Sequence, residues 1–351
     1  MAPDCGALGH GGGVTDMPSL LTVILNWRTA DMTIKAAEAA LIALAGIDGA
    51  LVIVDNDSGD GSFEKLSLQV AARGWDTGAH SVRVLQAGRN GGFGAGNNFG
   101  IRAGLVGGGR PDFVYILNSD AFPDPGAIKA LMAHLKAHPE TGFAGSFICG
   151  EDGVPHRTAF RFPSIPAEFE SQVRFGPISR LLNRYIVARP IPAATCRVDW
   201  LAGASLMMRQ SVLDQIGLFD ERFFLYFEET DLCRRAAFAG WPTDYVVQSR
   251  VVHIGSVSTG MKKWARIPGF WLDSRLHYFV KNHGRVYAFA ATLAHLAGGV
   301  IWRARLLVQR KDRGDPPHYL RDMAWHGLRA MLAGLRRRPT QPAPQTTART
   351  P

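Results

Sequence analysis

The chain has 351 residues, of which 46% are hydrophobic and 20% are charged, and its formal net charge is +9. These proportions are ordinary for a globular protein, and the length suits one large domain or two smaller ones. The basic balance favours acidic partners such as nucleotides, diphosphates, nucleic acid or an anionic membrane face, without choosing among them. The four cysteines have no paired spacing, which argues against a disulfide framework or a zinc site and suits a reducing cytosol.

The first third of the chain alternates between apolar runs and helical patterns. Residues 1–18 are glycine-rich and lack the apolar core of a signal peptide, so we expect a flexible leader. Strands are predicted at residues 20–25, 51–54 and 81–85, with a helix over residues 31–45. This order predicts a parallel, doubly wound α/β sheet with helices on both faces, whose polar strand ends line one crevice.

Residues 88–98 form a glycine-rich segment after the third predicted strand. We expect a loop that brings the backbone close to a ligand and opens a helix near residues 99–105, with Asn90 and Asn98 capping it or binding. The segment departs from a dinucleotide-binding fingerprint, because it ends in two asparagines and follows the third strand instead of the first. A plain glycine-rich turn is the alternative.

The apolar run at residues 114–117 is followed by Asn118, Ser119 and Asp120. Ligands of open α/β sheets bind just past the carboxyl ends of such strands. An aspartate there can hold a hard divalent cation, which in turn can hold a diphosphate. The alternative is a simple turn, since asparagine, serine and aspartate are common turn residues.

The second half offers a further cluster of carboxylates. Residues 151–195 lack clear periodicity, and we expect a long binding loop or lid there. Glu228, Glu229 and Asp231 follow an aromatic run; neighbouring carboxylates raise each other's proton affinity, so one of them can serve as a base. The alternative is an acidic helix N-terminus. His253 ends a predicted strand and can complete a metal site with Asp120.

Residues 286–302 are almost entirely apolar and precede a run of basic residues. They fall short of the roughly 20 residues that a spanning helix needs. A membrane-surface helix with a basic flank and a buried core helix are equally compatible with this pattern. Residues 339–351 are predicted to be disordered.

Taken together, these motifs resemble the inverting glycosyltransferases of family 2, which have the GT-A fold, and in particular their rhamnosyltransferase-like branch. The resemblance covers roughly residues 21–284. It rests on motifs at residues 54–58 (Val-Asp-Asn-Asp-Ser), 90–101 (Asn-Gly-Gly-Phe-Gly-Ala-Gly-Asn-Asn-Phe-Gly-Ile), 117–120 (Leu-Asn-Ser-Asp), 203–204 (Gly-Ala), 217–233 and 253–258. Their order and combination are specific, whereas each alone is not.

The resemblance implies a role for each matching residue. Asp120 and His253 would bind Mg2+ or Mn2+ at the donor diphosphate, and Glu229 would be the catalytic base, with Glu228 and Asp231 beside it. Two departures matter: Asn118 replaces the first acid of the usual Asp-x-Asp triplet, and Glu229 is one methylene longer than the usual aspartate, so that the base can pass to Glu228. The nucleotide-sugar contacts would be Asn26, Asp55, Asn56, Asn90, Gly92, Asn98 and Asn118, and the acceptor side would be Trp200, Gly203 and Ala204.

The predicted function is therefore inverting transfer of a sugar, with rhamnose as a candidate, from a dTDP- or UDP-linked donor to a glycan or lipid-linked acceptor in cell-surface polysaccharide synthesis. We expect no nucleic acid partner and a cytoplasmic protein that can attach to an anionic inner membrane face. The predicted domains are a glycosyltransferase domain at residues 19–284 (a nucleotide-sugar half at 19–122 and an acceptor half at 123–284) and a helical extension at 285–338. The rival functions are a sugar nucleotidyltransferase and a non-catalytic nucleotide-sugar-binding protein.

Overall fold

The computed structural model describes residues 18–255, 265–310 and 315–336. The predicted leader and tail therefore lie outside the described residues. The same holds for the end of the last motif, from residue 256, and for the basic residues Lys311 and Arg313.

A nine-stranded sheet forms the centre of the described part of the chain, with the strand order β3-β2-β1-β4-β10-β6-β11-β5 and β8 paired to β11. A second, two-stranded sheet pairs β7 with β9. The strands are β1 (Leu20–Asn26), β2 (Gly49–Asp55), β3 (Val82–Gln86), β4 (Phe113–Asn118), β5 (Ala121–Pro123), β6 (Phe143–Cys149), β7 (Ala159–Phe160), β8 (Cys196–Val198), β9 (Trp200–Leu201), β10 (Ser205–Arg209) and β11 (Thr243–His253).

The first four strands pair in parallel, as the sequence predicts, and β1 lies between β2 and β4. The sheet becomes mixed at β10, which is antiparallel to both β4 and β6. The predicted strand that ends at His253 is β11, whose register against β6 shifts between Val246 and Arg250. The polar ends of β1, β2 and β4 consequently meet at one edge of the sheet.

Helices cover both faces of the sheet. Leu20 and Ile24 of β1 point into one core, with α1 and α4, whereas Leu21 and Val23 point into the other, with α3, α7 and α8. This alternation follows from the two-residue period of a strand. The helices are α1 (Ala30–Ala43), α2 (Ser62–Ala72), α3 (Gly92–Arg102), α4 (Ala127–Ala137), α5 (Ile165–Val173), α6 (Gly176–Leu181), α7 (Gln210–Ile216), α8 (Glu228–Phe238), α9 (Gly269–His283), α10 (Arg285–Gln309) and α11 (Tyr319–Arg336).

The predicted glycine-rich loop at residues 88–98 opens a helix as expected but is shorter than predicted, because α3 begins at Gly92 and only residues 88–91 precede it. Glycine disfavours helices, so propensity alone argued for a loop. A Cβ at Gly96 would overlap the Leu25 side chain, and one at Gly100 would lie 2.6 Å from Val23 Cγ1. The glycines therefore let the helix backbone pack directly against β1, and this packing outweighs their low propensity.

The prediction of one long loop at residues 151–195 is wrong, since α5 and α6 lie within it. The side chain of Ser164 caps α5 by accepting a hydrogen bond from the Ala167 amide at 3.4 Å. Helix α5 packs against α10, and Glu168 of α5 forms ion pairs with Arg275 and His295 at 2.8 and 2.6 Å. These partners are more than a hundred residues away in the sequence, so no local pattern could show them.

Helix α10 combines the two alternatives for the apolar stretch at residues 286–302. One side is buried through small residues, including Ala288, Ala291 and Gly298, and packs on α5 and α11. The other side carries exposed apolar side chains such as Val286 and Val300. No helix among the described residues is both long enough and apolar enough to cross a bilayer.

Candidate active site

A cavity of about 390 Å³ opens at the carboxyl ends of β1 and β4, between the N-terminal ends of α3 and α8. This is the edge at which the sequence predicts a ligand crevice. The cavity brings together residues that are far apart in the chain, so side chains from several of the separate motifs line the same space. The predicted site residues that line it are Asn56, Asn90, Gly92, Asn118, Asp120, Gly203, Ala204, Glu228, Glu229 and His253.

Asp120 and His253 are in direct contact on one wall of the cavity, with Oδ1 and Nε2 3.1 Å apart. The pairing of β11 with β5 brings them together, because His253 lies opposite Ala121. Nδ2 of Asn118 lies 3.4 Å from the same His253 nitrogen, whereas Asn118 Oδ1 is buried without a hydrogen-bond partner among the described residues. The Asp120 carboxylate and the Asn118 amide group are therefore both close to the same nitrogen of His253.

Glu228 and Glu229 are the first two residues of α8 and line the same cavity. Tyr226 and Phe227, which precede them, both adopt the left-handed conformation with φ of 70°. In both glutamates Oε2 is buried and has no hydrogen-bond partner within the described part of the chain. Strained backbone and unsatisfied carboxylates are typical of functional sites, where they are available for a substrate.

The two glutamates differ in their proton affinity. Burial, together with the neighbouring charge of Glu229, raises the pKa of Glu228 well above its usual value. Burial also raises the pKa of Glu229, to about 7, against backbone hydrogen bonds at Glu229 and Gly203 that favour the ionised form. Glu228 therefore holds its proton more tightly than an exposed glutamate does, whereas Glu229 is divided between its two forms near neutral pH and can accept a proton.

Asn26 and Asp55 lie behind the cavity wall instead of lining it. The Asn26 amide donates to Asp55 Oδ1 at 2.7 Å, and the Ser58 hydroxyl donates to the same oxygen at 2.5 Å. Thr33 donates to Asn26 Oδ1 at 2.7 Å. The carboxylate of Asp55 thus holds together the end of β1 and the loop that follows β2, and its contact with a nucleoside stays a prediction.

The asparagines around α3 have two different positions. Asn56 lines the cavity and donates to Asn90 Oδ1 at 3.0 Å and to the Gly92 carbonyl at 3.2 Å. Asn98 points away from the cavity and binds the backbone of Phe219, donating to its carbonyl at 2.9 Å and accepting from its amide at 3.0 Å. Asn98 therefore positions the loop before α8, and its predicted contact with the nucleotide stays a prediction.

Asp231 and Trp200 also lie outside the cavity lining. Asp231 is fully buried and accepts hydrogen bonds from Arg235, Lys281 and Asn282 at 2.9, 2.7 and 3.1 Å. Trp200 stacks on Phe160 with ring centroids 4.1 Å apart. Asp231 therefore shares helix α8 with Glu229 but directs its carboxylate to Arg235 and α9, and its support of the base stays a prediction.

Helix α9 contributes a residue to the site that sequence reasoning missed. Phe270, the second residue of α9, lines the cavity beside Phe224 and Tyr226. It belongs to none of the motifs, and a single phenylalanine at the start of a helix carries no local signal of a site. The packing of α9 against α8 brings it to the cavity.

Comparison with known proteins identifies the family. Residues 51–267 match the family described as "Glycosyltransferase like family 2". The chain is 34% identical over 218 residues to the N-acetylglucosaminyl-diphospho-decaprenol L-rhamnosyltransferase of Mycobacterium tuberculosis, and the match covers 60% of this chain and 68% of that protein. The chain belongs to glycosyltransferase family 2. These matches confirm the predicted resemblance of the chain to family 2 glycosyltransferases and to their rhamnosyltransferase-like branch.

Two further similarities agree with this assignment. The rhamnosyltransferase WbbL of Escherichia coli K12 is 26% identical over 168 residues, which are 46% of this family 2 chain and 60% of WbbL. A mannosyltransferase from Pyrobaculum calidifontis, solved with GDP-Man and Mn2+, superposes with a TM-score of 0.54 at 14% identity, and the superposition covers 92% of this chain and 81% of that one. The latter likeness concerns the fold, and it confirms the predicted GT-A class.

Proposed function

We propose that this glycosyltransferase moves a sugar, with rhamnose as the first candidate, from a dTDP- or UDP-linked donor to a hydroxyl of a glycan or lipid-linked acceptor, with inversion. The observation that carries the proposal is the presence in one cavity of a carboxylate with a pKa of about 7 and a separate Asp120–His253 pair. The Glu229 carboxylate can accept the proton of an acceptor hydroxyl, and Asp120 with His253 can bind the cation of a diphosphate.

In this mechanism the acceptor oxygen forms a bond to the anomeric carbon of the donor sugar while the bond from that carbon to the diphosphate oxygen breaks. Glu229 takes the proton of the attacking hydroxyl, so the charge that leaves with the diphosphate is balanced. A single displacement of this kind inverts the anomeric configuration. Glu228, whose pKa is raised by burial and by the charge of Glu229, can in its protonated form donate a hydrogen bond to a bound sugar.

The residues on the Asp120 wall of the cavity fit Mg2+ or Mn2+. Asp120, His253 and the orphaned Oδ1 of Asn118 provide oxygen and nitrogen donors of the kind these ions accept. Among the described residues there is no group of three or more histidine, cysteine or acidic side chains around one point, so donor phosphates would complete the coordination. When bound, the cation would stabilise the charge of the leaving diphosphate.

The proposal is tested by measuring nucleoside diphosphate release from a panel of sugar nucleotides, with and without a synthetic N-acetylglucosaminyl diphospholipid as acceptor. We expect release that depends on the acceptor and on added Mg2+ or Mn2+, and a product whose anomeric configuration, measured by NMR, is opposite to that of the donor. Binding of sugar nucleotides without any turnover would support the non-catalytic rival instead.

A sugar nucleotidyltransferase is the second enzyme considered, and the structure offers it little support. Such an enzyme needs basic groups around the triphosphate near the first strand. Arg28 is the basic residue of that loop, and its Nε donates to the Ser58 carbonyl at 2.9 Å while its guanidinium stacks on Trp27. It is therefore engaged in holding the loop.

We also propose that α10 and α11 attach the protein peripherally to an anionic membrane face. Val286, Leu293, Val300 and Leu307 are 85%, 49%, 61% and 72% exposed, and their spacing of seven residues places them on one stripe of α10, about 32 Å long. Exposed apolar areas of this extent on a soluble domain usually mark an interaction surface. Helix α11 adds Trp325, Leu328 and Leu332, together with the exposed Arg321 and Arg329.

Vesicle co-sedimentation tests this attachment. Wild-type protein should pellet with phosphatidylglycerol vesicles at low salt, and the double variant Leu293→Glu, Val300→Glu should stay in solution. Leu68→Glu, which changes a 68% exposed leucine on α2, is the matched control and should pellet like wild type. Deleting the helix would be a poorer test, because it would uncover the face of α5 that α10 buries.

A further inference from the structure

The mouth of the cavity is aromatic. Phe270 lies between Phe224 and Tyr226, with ring centroids 5.6 and 6.5 Å away, and the Tyr226 ring is nearly parallel to it at 20°. Phe224 is 39% exposed, and the other two rings are half-buried. All three line the same cavity as Glu228 and Glu229, so an apolar surface reaches from the mouth to the proposed base.

The position of this aromatic cluster is fixed by the backbone. The Phe93 amide donates to the Phe224 carbonyl at 2.9 Å. A Cβ at Gly92, whose φ is +88°, would overlap that same carbonyl, so only glycine allows this close approach. Tyr226 is held in the left-handed region, directly before the two glutamates. The backbone that carries Phe224 and Tyr226 is therefore fixed beside the start of α3 and directly before the two glutamates.

Helix α9 ties Phe270 to the same frame. His277 and Lys281 lie 3.0 and 2.9 Å from the Asp220 carboxylate, and Lys281 also lies 2.7 Å from that of Asp231. Asp231 is on α8, the helix that begins with Glu228 and Glu229. The matched family region ends at residue 267, so this ring comes from a part of the chain beyond it.

We propose that Phe224, Tyr226 and Phe270 form the subsite that holds a pyranose ring of the acceptor at Glu229. The proposal rests on the proposed function and adds the chemistry of the acceptor to it. The C–H groups on one face of a pyranose carry partial positive charge and match the negative face of an aromatic ring, while the hydroxyls at its edge reach the carboxylates. Another part of the lining, formed by Asp120 and His253, instead presents ionisable groups to the diphosphate. The aromatic residues would therefore bind the acceptor, and the ionisable residues would bind the donor.

Saturation-transfer NMR with methyl glycosides of N-acetylglucosamine and rhamnose, in the presence of UDP or dTDP, tests the subsite without turnover. Wild-type protein should transfer saturation to the ring C–H protons of at least one glycoside. Phe270→Leu should weaken its affinity roughly three- to tenfold, and Phe270→Tyr, which keeps the ring, should bind like wild type. Phe238→Leu, at a 75% exposed phenylalanine on α8, is the control and should change nothing.

The subsite would be overturned by equal glycoside affinity in wild type and Phe270→Leu, or by no binding of any methyl glycoside to wild type. Geranyl phosphate, a short lipid phosphate, is measured in the same way. If Phe270→Leu weakened the binding of geranyl phosphate alone, the rings would bind a lipid chain and not a sugar. Failure of wild-type protein to transfer from any sugar nucleotide would contradict the proposed function instead, since the binding measurement requires no reaction.

Discussion

Replacing Glu229 by glutamine removes the proposed base and keeps the shape of the side chain. Loss of a general base typically costs about 10²–10⁴-fold in turnover, equivalent to roughly 3–5 kcal/mol of transition-state stabilisation. Donor affinity should stay within about twofold of wild type, because the amide fills the same space and the donor diphosphate is held elsewhere in the cavity. Steady-state release of nucleoside diphosphate and calorimetric titration with the sugar nucleotide measure the two quantities separately.

The pH profile gives an independent test of the same residue. A base works when it is ionised, so a pKa of about 7 for Glu229 predicts that kcat/KM rises with pH through that value and levels off above it. The ionised fraction, and with it kcat/KM, should be about a tenth of its plateau at pH 6 and about nine-tenths at pH 8. This acidic limb should disappear in the residual activity of Glu229→Gln.

Glu228→Gln is the matched control, because Glu228 lies beside Glu229, and burial and the charge of Glu229 raise its pKa and so favour its protonated form. It should reduce turnover less than Glu229→Gln does and leave the acidic limb near pH 7. Glu229→Asp should retain much of the activity. Near-normal turnover in Glu229→Gln together with no turnover in Glu228→Gln would identify Glu228 as the base. If both variants remained active, neither glutamate would be the base, and the acidic residues would only stabilise the N-terminus of α8.

Three further changes test other parts of the site and surface. Asp120→Ala should abolish diphosphate-linked binding of Mn2+, measured by titration in the presence of UDP, and full activity of wild type in chelator would contradict the proposed metal. Gly92→Ala should destabilise the fold by about 1–3 kcal/mol, because its Cβ overlaps the Phe224 carbonyl, whereas Gly126→Ala, with open space around it, should leave the denaturation midpoint nearly unchanged. Leu293→Glu alone should already raise the fraction of protein that stays unbound to anionic vesicles, and unaltered binding would exclude the α10 stripe.

The sequence predicted the parallel part of the sheet because its strands are buried on both sides. A continuous apolar run such as residues 114–117 predicts a buried strand, and the polar residues that follow it predict the ligand crevice at the end of that strand. The same reasoning brought Asp120 and His253 together, since both follow or end strands, and the structure joins them at 3.1 Å. Strand ends are thus a signal that local sequence carries well.

The position of a strand end does not predict the role of a residue when that role depends on contacts with distant parts of the chain. Asn98 and Asp55 are polar residues within motifs, and nothing local distinguishes a side chain that faces a ligand from one that holds a loop; the structure gives both of them protein partners. The helical glycines of α3 are explained by contact with β1, and α5 by contact with α10. In each case tertiary packing outweighed the local preference on which the prediction relied.

The contacts of Asp231 bear on how far the catalytic unit extends. A fully buried carboxylate is strongly destabilising unless cationic or hydrogen-bonding partners compensate it. Arg235 lies on the same helix, but Lys281 and Asn282 come from α9, beyond the matched region that ends at residue 267. A chain cut at that point would leave Asp231 with one of these three partners and would remove Phe270 from the cavity. We therefore infer that the smallest active fragment includes α9 up to at least His283. The positions of Glu228 and Glu229 at the start of α8 would then depend on α9, which lies outside the matched family region.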